Sequence, residues 1–147
     1  MKNKLMIVDD DPDILITVRY IFENKDYEVY TVDNGRDCLK ELERGFTGII
    51  LMDIMMPFMD GWDTIREIVI KGLTQNVIIL ILSAKGTPND AKIKGLEPYI
   101  QGYIPKPFEK NHLVSTVTKL LIPSPPSLVK ENEASDINNI VYFSILL

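Results

Sequence analysis

The segment from Gly48 to Gly61, GIILMDIMMPFMDG, joins a continuous apolar run to a carboxylate. Its first five residues lack polar alternation, which is the pattern of a β-strand covered on both faces. Asp53 follows directly, at a position where a charge is difficult to solvate. Pro57 indicates a turn, and Asp60 before Gly61 indicates the beginning of a helix. The segment therefore predicts a buried strand that delivers one acidic side chain at its carboxyl end.

Short apolar runs alternate along the chain with segments of helical periodicity. The runs predict five strands, at Leu5–Val8, Tyr27–Val32, Ile49–Met52, Val77–Leu82 and Gly102–Ile104. The helical segments are 14–22, Gly35–Arg44, 62–69, Pro88–Glu97 and 113–121, of which Pro88–Glu97 has the weakest pattern. Five β–α pairs predict a doubly wound α/β domain with a parallel sheet. Such folds bind ligands at the carboxyl ends of their strands, where Asp53 falls.

Length and composition indicate one globular domain followed by a tail of different character. The chain has 147 residues, of which 46% are hydrophobic, enough for a single core. The sequence PSPPS at 123–127 is typical of a stiff linker, and the chain ends in the apolar run IVYFSILL. We therefore assign residues 1–122 to the domain and 123–147 to a Pro-rich linker and tail, without an output domain.

Charge and hydropathy exclude several classes of function. The net charge of −5 argues against direct nucleic-acid binding. The single cysteine, Cys38, excludes an internal disulfide and fits a reducing compartment. Apolar runs are too short to span a membrane, and acidic residues interrupt the first run too early for a signal peptide. We expect a cytoplasmic protein that does not bind membranes.

Polar groups suited to phosphoryl chemistry follow four of the predicted strands. They are Asp9, Asp10 and Asp11 after strand 1, Asp53 after strand 3, Ser83 after strand 4 and Lys106 after strand 5. Carboxylates about 4 Å apart repel each other by on the order of 4 kcal/mol. The cluster of Asp9, Asp10 and Asp53 therefore needs a cation, and all-oxygen ligands favour Mg²⁺. A carboxylate nucleophile beside Mg²⁺, Lys106 and Ser83 suits phosphoryl transfer.

Other residues near these strand ends have structural explanations. Asp11, Asp60 and Thr87 are expected to cap the first, third and fourth helices. Cys38 and Trp62 are expected to pack in the core.

Four motifs resemble those of the receiver domains of two-component response regulators. They are IVDDD (7–11), LMDIMMPFMDG (51–61), ILSAK (81–85) and YIPKPF (103–108), in this order and spacing. The resemblance covers about residues 3–122. It implies a flavodoxin-like (βα)5 fold with strand order 2-1-3-4-5. It also implies a phosphoacceptor that catalyses its own phosphorylation and dephosphorylation, rather than a conventional enzyme.

The same resemblance implies a role for each site residue. Asp53 would accept the phosphoryl group from a phosphohistidine on a sensor histidine kinase or a phosphotransfer protein. Asp10, Asp53 and the backbone carbonyl of Met55 would ligate Mg²⁺, and Asp9 would act through water. Lys106 would pair with the phosphoryl oxygens and would precede a cis peptide bond to proline.

Ser83 and Tyr103 resemble the switch pair of this family. The phosphoryl group would draw in the Ser83 hydroxyl, and Tyr103 would turn into the vacated space. The signal would be read on the face of helix 4, strand 5 and helix 5, by an unknown effector protein or by a second copy of the chain. Residues 98–101, PYIQ, depart from the family pattern next to this face. Met55 and Lys85, at positions that tune phosphoryl lifetime, predict slow self-dephosphorylation.

Two other functions stay open at this point. A phosphatase of the haloacid-dehalogenase type also uses a strand-end aspartate and Mg²⁺, but its second aspartate would stand where this chain has Met55. A receiver-like docking module would never be phosphorylated; the acid pair, Ser83 and Lys106 argue against it.

Overall fold

A computed structural model describes residues 2–84 and 90–121 of the chain. Strands and helices alternate in the order β1 (Asn3–Val8), α1 (Pro12–Glu23), β2 (Tyr27–Val32), α2 (Gly35–Glu43), β3 (Gly48–Asp53), α3 (Gly61–Ile70), β4 (Val77–Ser83), α4 (Asp90–Ile93), β5 (Ile100–Pro105) and α5 (Lys110–Leu120). The predicted cap Thr87, the residue Lys85 and the tail at 123–147 lie outside the described residues.

The five strands form one parallel sheet with the order β2-β1-β3-β4-β5. The predicted doubly wound, flavodoxin-like α/β fold is therefore confirmed. Val8 pairs with Met52, and Asp53 pairs with Leu82, so the carboxyl ends of β1, β3 and β4 lie level with one another. The strand order reverses between β1 and β3, and this is the point where α/β folds bind ligands.

The central strands are buried because their apolar runs are unbroken. In β3 every residue from Ile49 to Asp53 is buried, and β1 is buried from Leu5 to Val8. Cys38 and Trp62 are also buried, as predicted. Burial on both faces confines the polar side chains of these central strands to the strand ends.

Side-chain caps fix where α1 and α3 begin. The Asp11 carboxylate accepts a hydrogen bond from the Asp13 N–H at 2.9 Å. Asp60 and Asp63 form a reciprocal capping box, with distances of 2.8 and 3.2 Å. Both predicted caps are confirmed, and both hold a helix beside a strand end.

The prediction of helix 4 is wrong at its carboxyl end. The helix ends at Ile93 rather than Glu97, and a 3-10 turn follows at Glu97–Tyr99. Gly95 has φ of 87°, a conformation that cannot continue a right-handed helix. Strand β5 then begins at Ile100 instead of Gly102, so Ile100 and Gln101, the last two residues of the segment PYIQ, belong to the strand.

Contacts within the chain define two compact units, Met1–Val114 and Ser115–Leu147. The first contains the whole sheet and α1 to α4. Of the second, the structure describes the end of α5 and Leu121. Within the described part of the chain, no helix has the length and apolar character needed to cross a bilayer.

Gly61 allows the beginning of α3 to lie directly against the end of β3. A Cβ at this position would lie 2.4 Å from the carbonyl oxygen of Asp53 and 2.9 Å from the Cα of Ile54. We therefore expect Gly61→Ala to lower the free energy of unfolding by about 2 kcal/mol or more, because backbone must move. Gly102→Ala is the matched control, since its Cβ would meet only the movable tip of Leu80 at 3.2 Å. Urea unfolding of both variants measures the difference; equal losses would contradict this account.

Candidate functional site

The carboxyl ends of β1, β3 and β5 bring four of the predicted site residues together. Asp53 is the last residue of β3, Asp9 and Asp10 follow β1, and Lys106 follows β5. One carboxylate oxygen from each of the three aspartates lies within 4.8 Å of the others. Asp9 and Asp53 are buried, with 0% and 4% of their surface exposed, whereas Asp10 is exposed. The cluster is therefore a crevice that opens toward solvent beside Asp10.

Lys106 lies between the two buried carboxylates. Its Nζ is 2.6 Å from Oδ2 of Asp9 and 3.2 Å from Oδ1 of Asp53. Its backbone N–H donates to the carbonyl oxygen of Ser83 at 2.7 Å, and its peptide bond to Pro107 is cis, as predicted. Lys106 is thus held from both its backbone and its side chain, with its ammonium group facing the candidate phosphoacceptor.

Burial and like charge make Asp53 a weaker acid than an exposed aspartate. Desolvation, followed by the charge of Asp9, raises the pKa of Asp53 from 3.8 to about 6, against the opposing effect of Lys106. Burial lowers the pKa of Lys106, but its hydrogen bond to Asp9 and the charges of Asp53 and Asp9 outweigh this and raise it overall. At neutral pH the site therefore contains an ionised Asp53 carboxylate that is poorly solvated and a Lys106 side chain that stays charged.

Asp9 is the most constrained acid of the cluster. Its Oδ1 accepts the Asp11 N–H at 2.9 Å, its Oδ2 pairs with Lys106, and its own N–H donates to the carbonyl oxygen of Val32 at 3.1 Å. Because both oxygens of Asp9 already have partners, the exposed Asp10 is better placed to offer an oxygen to a ligand from solvent.

The donor set fits a hard divalent cation. Octahedral Mg²⁺ with bonds of about 2.1 Å places its ligand oxygens roughly 3 to 4 Å apart. Three carboxylate oxygens within 4.8 Å are already close to that spacing. The backbone N–H of Met55 lies 3.4 Å from Oδ1 of Asp53, so the Met55 backbone also borders the crevice. Asp9, Asp10 and Asp53 can thus hold a metal ion.

Ser83 and Tyr103 lie on the same face of the sheet. Tyr103 pairs with Ile81, two residues before Ser83 along β4, and alternate residues of a strand share a face. Ser83 is half-buried at the end of β4, one residue beyond the partner of Asp53. Tyr103 is 44% exposed, and burial of its ring, followed by the charge of Glu97, raises the pKa of its hydroxyl. Ser83 is therefore the member of the proposed switch pair next to the acid cluster, and Tyr103 lies beyond it on β5.

Lys92 links α4 to the beginning of α3, a contact that no sequence pattern indicates. Its Nζ lies 2.5 Å from Oδ2 of Asp60 and 3.6 Å from Oδ1 of Asp63, and its carbonyl oxygen accepts from Arg66 at 2.9 Å. Burial raises the pKa of Asp60, but the hydrogen bond from Lys92 and further contacts lower it overall. A pair separated by 32 residues leaves no local pattern by which it could be found.

Comparisons with known proteins point to one family. The model of the response regulator receiver domain family matches residues 5–118. The CpxR homolog of Haemophilus influenzae, a transcriptional regulatory protein, is 31% identical over 144 residues, covering 98% of this chain and 57% of that protein. Among solved structures, a CheY-like response regulator receiver domain protein from Methanospirillum hungatei has 43% identity and a TM-score of 0.77, covering 82% of this chain and 94% of that one. A response regulator from Chloroflexus aurantiacus has 30% identity and a TM-score of 0.71, covering 82% and 98%.

The chain belongs to the receiver domain family of two-component response regulators. Members of this family are typically phosphoacceptors rather than conventional enzymes, use Mg²⁺ and have histidine kinase partners. The chain spans about half the length of the curated relatives it matches. The transcriptional activity in the names of these relatives therefore describes those longer proteins.

Proposed function

We propose that this chain is a phosphorylation switch in which Asp53 accepts a phosphoryl group from a phosphohistidine on a sensor histidine kinase or phosphotransfer protein. The observation that carries the proposal is the buried Asp53 carboxylate at the end of β3, which lies 3.2 Å from Lys106 and beside two further carboxylates. A structural role alone would not favour an acid that burial and a neighbouring charge make so weak.

In the proposed transfer, an Asp53 carboxylate oxygen attacks phosphorus and forms an acyl-phosphate bond. The P–N bond to the donor histidine breaks, and the electron pair returns to the imidazole ring. Lys106 leaves its present partners and pairs with a phosphoryl oxygen, whose charge replaces that of the Asp53 carboxylate. Asp10, Asp53 and the Met55 carbonyl would ligate Mg²⁺ directly and Asp9 would act through water, and the ion would neutralise the crowded negative charge.

The signal would then pass through Ser83 and Tyr103. Asp53 pairs with Leu82, the residue before Ser83 in β4. A phosphoryl group on Asp53 would add charge and strong hydrogen-bond acceptors there, and the Ser83 hydroxyl would donate to them. The half-exposed ring of Tyr103 would then turn inward on the same sheet face, into the space that Ser83 vacates. We propose that an effector protein or a second copy of the chain detects this change on the surface of α4, β5 and α5. We also propose that residues 1–122 form the signalling domain and that residues 123–147 are a linker and tail.

Incubation with Mg²⁺ and acetyl phosphate tests the proposal against its two alternatives. A receiver forms one persistent phosphoryl group per chain and releases phosphate slowly. A phosphatase releases many equivalents of phosphate without a persistent adduct. A docking module that is never phosphorylated shows neither, and either of these last results would overturn the proposal.

Met55 favours a long-lived phosphoryl group. Its side chain is 71% exposed beside the crevice and carries no group that orients an attacking water. We expect Met55→Asn to lose the phosphoryl group several-fold faster than the parent, because an amide can position that water. Phosphate release from purified phosphoprotein measures both rates. Faster loss of the phosphoryl group from the parent than from Met55→Asn would contradict the prediction. Lys85→Ala tests the other tuning position, where the lysine is expected to shield the phosphoryl group.

A further inference from the structure

Phe58 combines an unfavourable backbone conformation with complete exposure. Its φ is 68°, and the Met59 N–H donates to the carbonyl oxygen of Pro57 at 2.7 Å, which closes a three-residue turn around it. A positive φ in such a turn is strained for a bulky residue, and glycine would adopt it freely. The Phe58 side chain is nonetheless the most exposed large apolar group in the described part of the chain, at 107% of its reference surface.

The rest of the loop is anchored, so the position of Phe58 is defined. The Gly61 N–H donates to the carbonyl oxygen of Ile54 at 2.9 Å and closes the base of the loop. Met56 is buried, and Met59 packs against the core and lies against Gly35 at the beginning of α2. The two methionines point inward while Phe58 is presented to solvent. Strain together with an exposed aromatic ring is more readily explained by a contact with another molecule than by folding.

Phe58 lies close enough to Asp53 to be covered by a macromolecular phosphoryl donor. Gly61 contacts the backbone of Asp53, and three residues reach at most about 11 Å from Gly61 to Phe58. A typical protein interface covers about 800 Å² on each partner, which is roughly 30 Å across. Because Asp53 is only 4% exposed, a protein that delivers a phosphoryl group must seat itself over the crevice. Its footprint would then include the tip of this loop.

We propose that Phe58 is a specificity-determining contact for the histidine-phosphorylated donor protein, whose surface beside the phosphohistidine would supply an apolar pocket for the ring. The inference rests on the proposed function and extends it to partner choice. Buried aromatic side chains commonly dominate the energetics of such interfaces. A small donor such as acetyl phosphate does not cover the loop, so Phe58 should matter for protein donors alone.

The test compares two phosphoryl donors on four proteins. The donors are acetyl phosphate and the autophosphorylated histidine kinase from the same genome that phosphorylates the parent fastest. The proteins are the parent, Phe58→Gly, Phe58→Tyr and Ile70→Ala. Glycine keeps the turn without strain, and tyrosine keeps the aromatic ring. Ile70, 69% exposed at the far end of α3, is the matched control for loss of exposed apolar surface.

We expect Phe58→Gly to lower the second-order rate of transfer from the kinase at least about tenfold, with an unchanged rate from acetyl phosphate. Phe58→Tyr and Ile70→Ala should behave like the parent. Equal kinase rates for parent and Phe58→Gly, or equal slowing with both donors, would overturn the inference and leave the proposed function intact. Failure of every kinase despite reaction with acetyl phosphate would refute a histidine-phosphorylated donor, and failure of both donors would refute the proposed function itself.

Discussion

Replacement of Lys106 by methionine is expected to lower the free energy of unfolding by about 3–5 kcal/mol at neutral pH. Methionine keeps most of the aliphatic stem but removes the ammonium group that neutralises Asp9 and Asp53. Those carboxylates are almost fully buried, so they would be left close together without a counter-charge. Urea unfolding in the presence of a chelator measures the loss.

Two conditions should reverse this loss if its cause is electrostatic. Acidification protonates Asp53, whose pKa is raised to about 6, and should shrink the difference between parent and variant. Added Mg²⁺ should restore part of the stability, because it replaces the missing positive charge. Lys40→Met is the control: Lys40 pairs with Asp37 at 3.7 Å on an exposed helix surface, where ion pairs contribute little. A Lys106→Met variant as stable as this control would contradict the proposed charge balance.

Asp53→Asn is expected to stabilise the fold at neutral pH by about 1–3 kcal/mol while abolishing phosphorylation. The pKa of Asp53 is raised from 3.8 to about 6, chiefly by burial and then by the charge of Asp9. This corresponds to a cost of at most about 3 kcal/mol for keeping the group ionised in the folded protein. Asparagine avoids that cost and still offers an oxygen to Lys106.

The sign of the pH dependence follows from the raised pKa. Between about pH 4 and pH 6 the folded state retains a proton on Asp53 that the unfolded state has lost, so the parent loses stability as pH rises through this interval. The advantage of Asp53→Asn should therefore vanish near pH 4 and be complete above about pH 7. Thermal unfolding across this range measures it, with Glu43→Gln as a control at an exposed acid. A stability difference between Asp53→Asn and the parent that does not change with pH would contradict the raised pKa of Asp53.

The sheet and the strand-end residues were predictable because their signals are local. Unbroken apolar runs marked β1, β3 and β4, and Asp9, Asp53 and Ser83 lie at or next to the ends of those runs. A parallel sheet then brings these ends together whatever their separation in sequence. The acid cluster was therefore predictable from the positions of the apolar runs, because the carboxyl ends of parallel strands meet at one edge of the sheet.

Features that depend on tertiary contacts could not be predicted in the same way. The predicted end of α4 is wrong because the apolar pattern of this segment is weak and continues past Gly95, although glycine often ends a helix. The ion pair of Lys92 with Asp60 and the raised pKa of Asp53 depend on distance and burial. Phe58 gave no sequence signal either, because a phenylalanine rarely adopts a positive φ.

The central claim is that Asp53 accepts a phosphoryl group in a reaction that requires Mg²⁺. Peptide mapping by mass spectrometry after incubation with acetyl phosphate tests it most directly, on the parent and on Asp53→Asn, each with Mg²⁺ and with a chelator. We predict one phosphoryl group on Asp53 of the parent with Mg²⁺, and none in the other three samples. Equal labelling of Asp53→Asn, or labelling that the chelator leaves unchanged, would contradict the account.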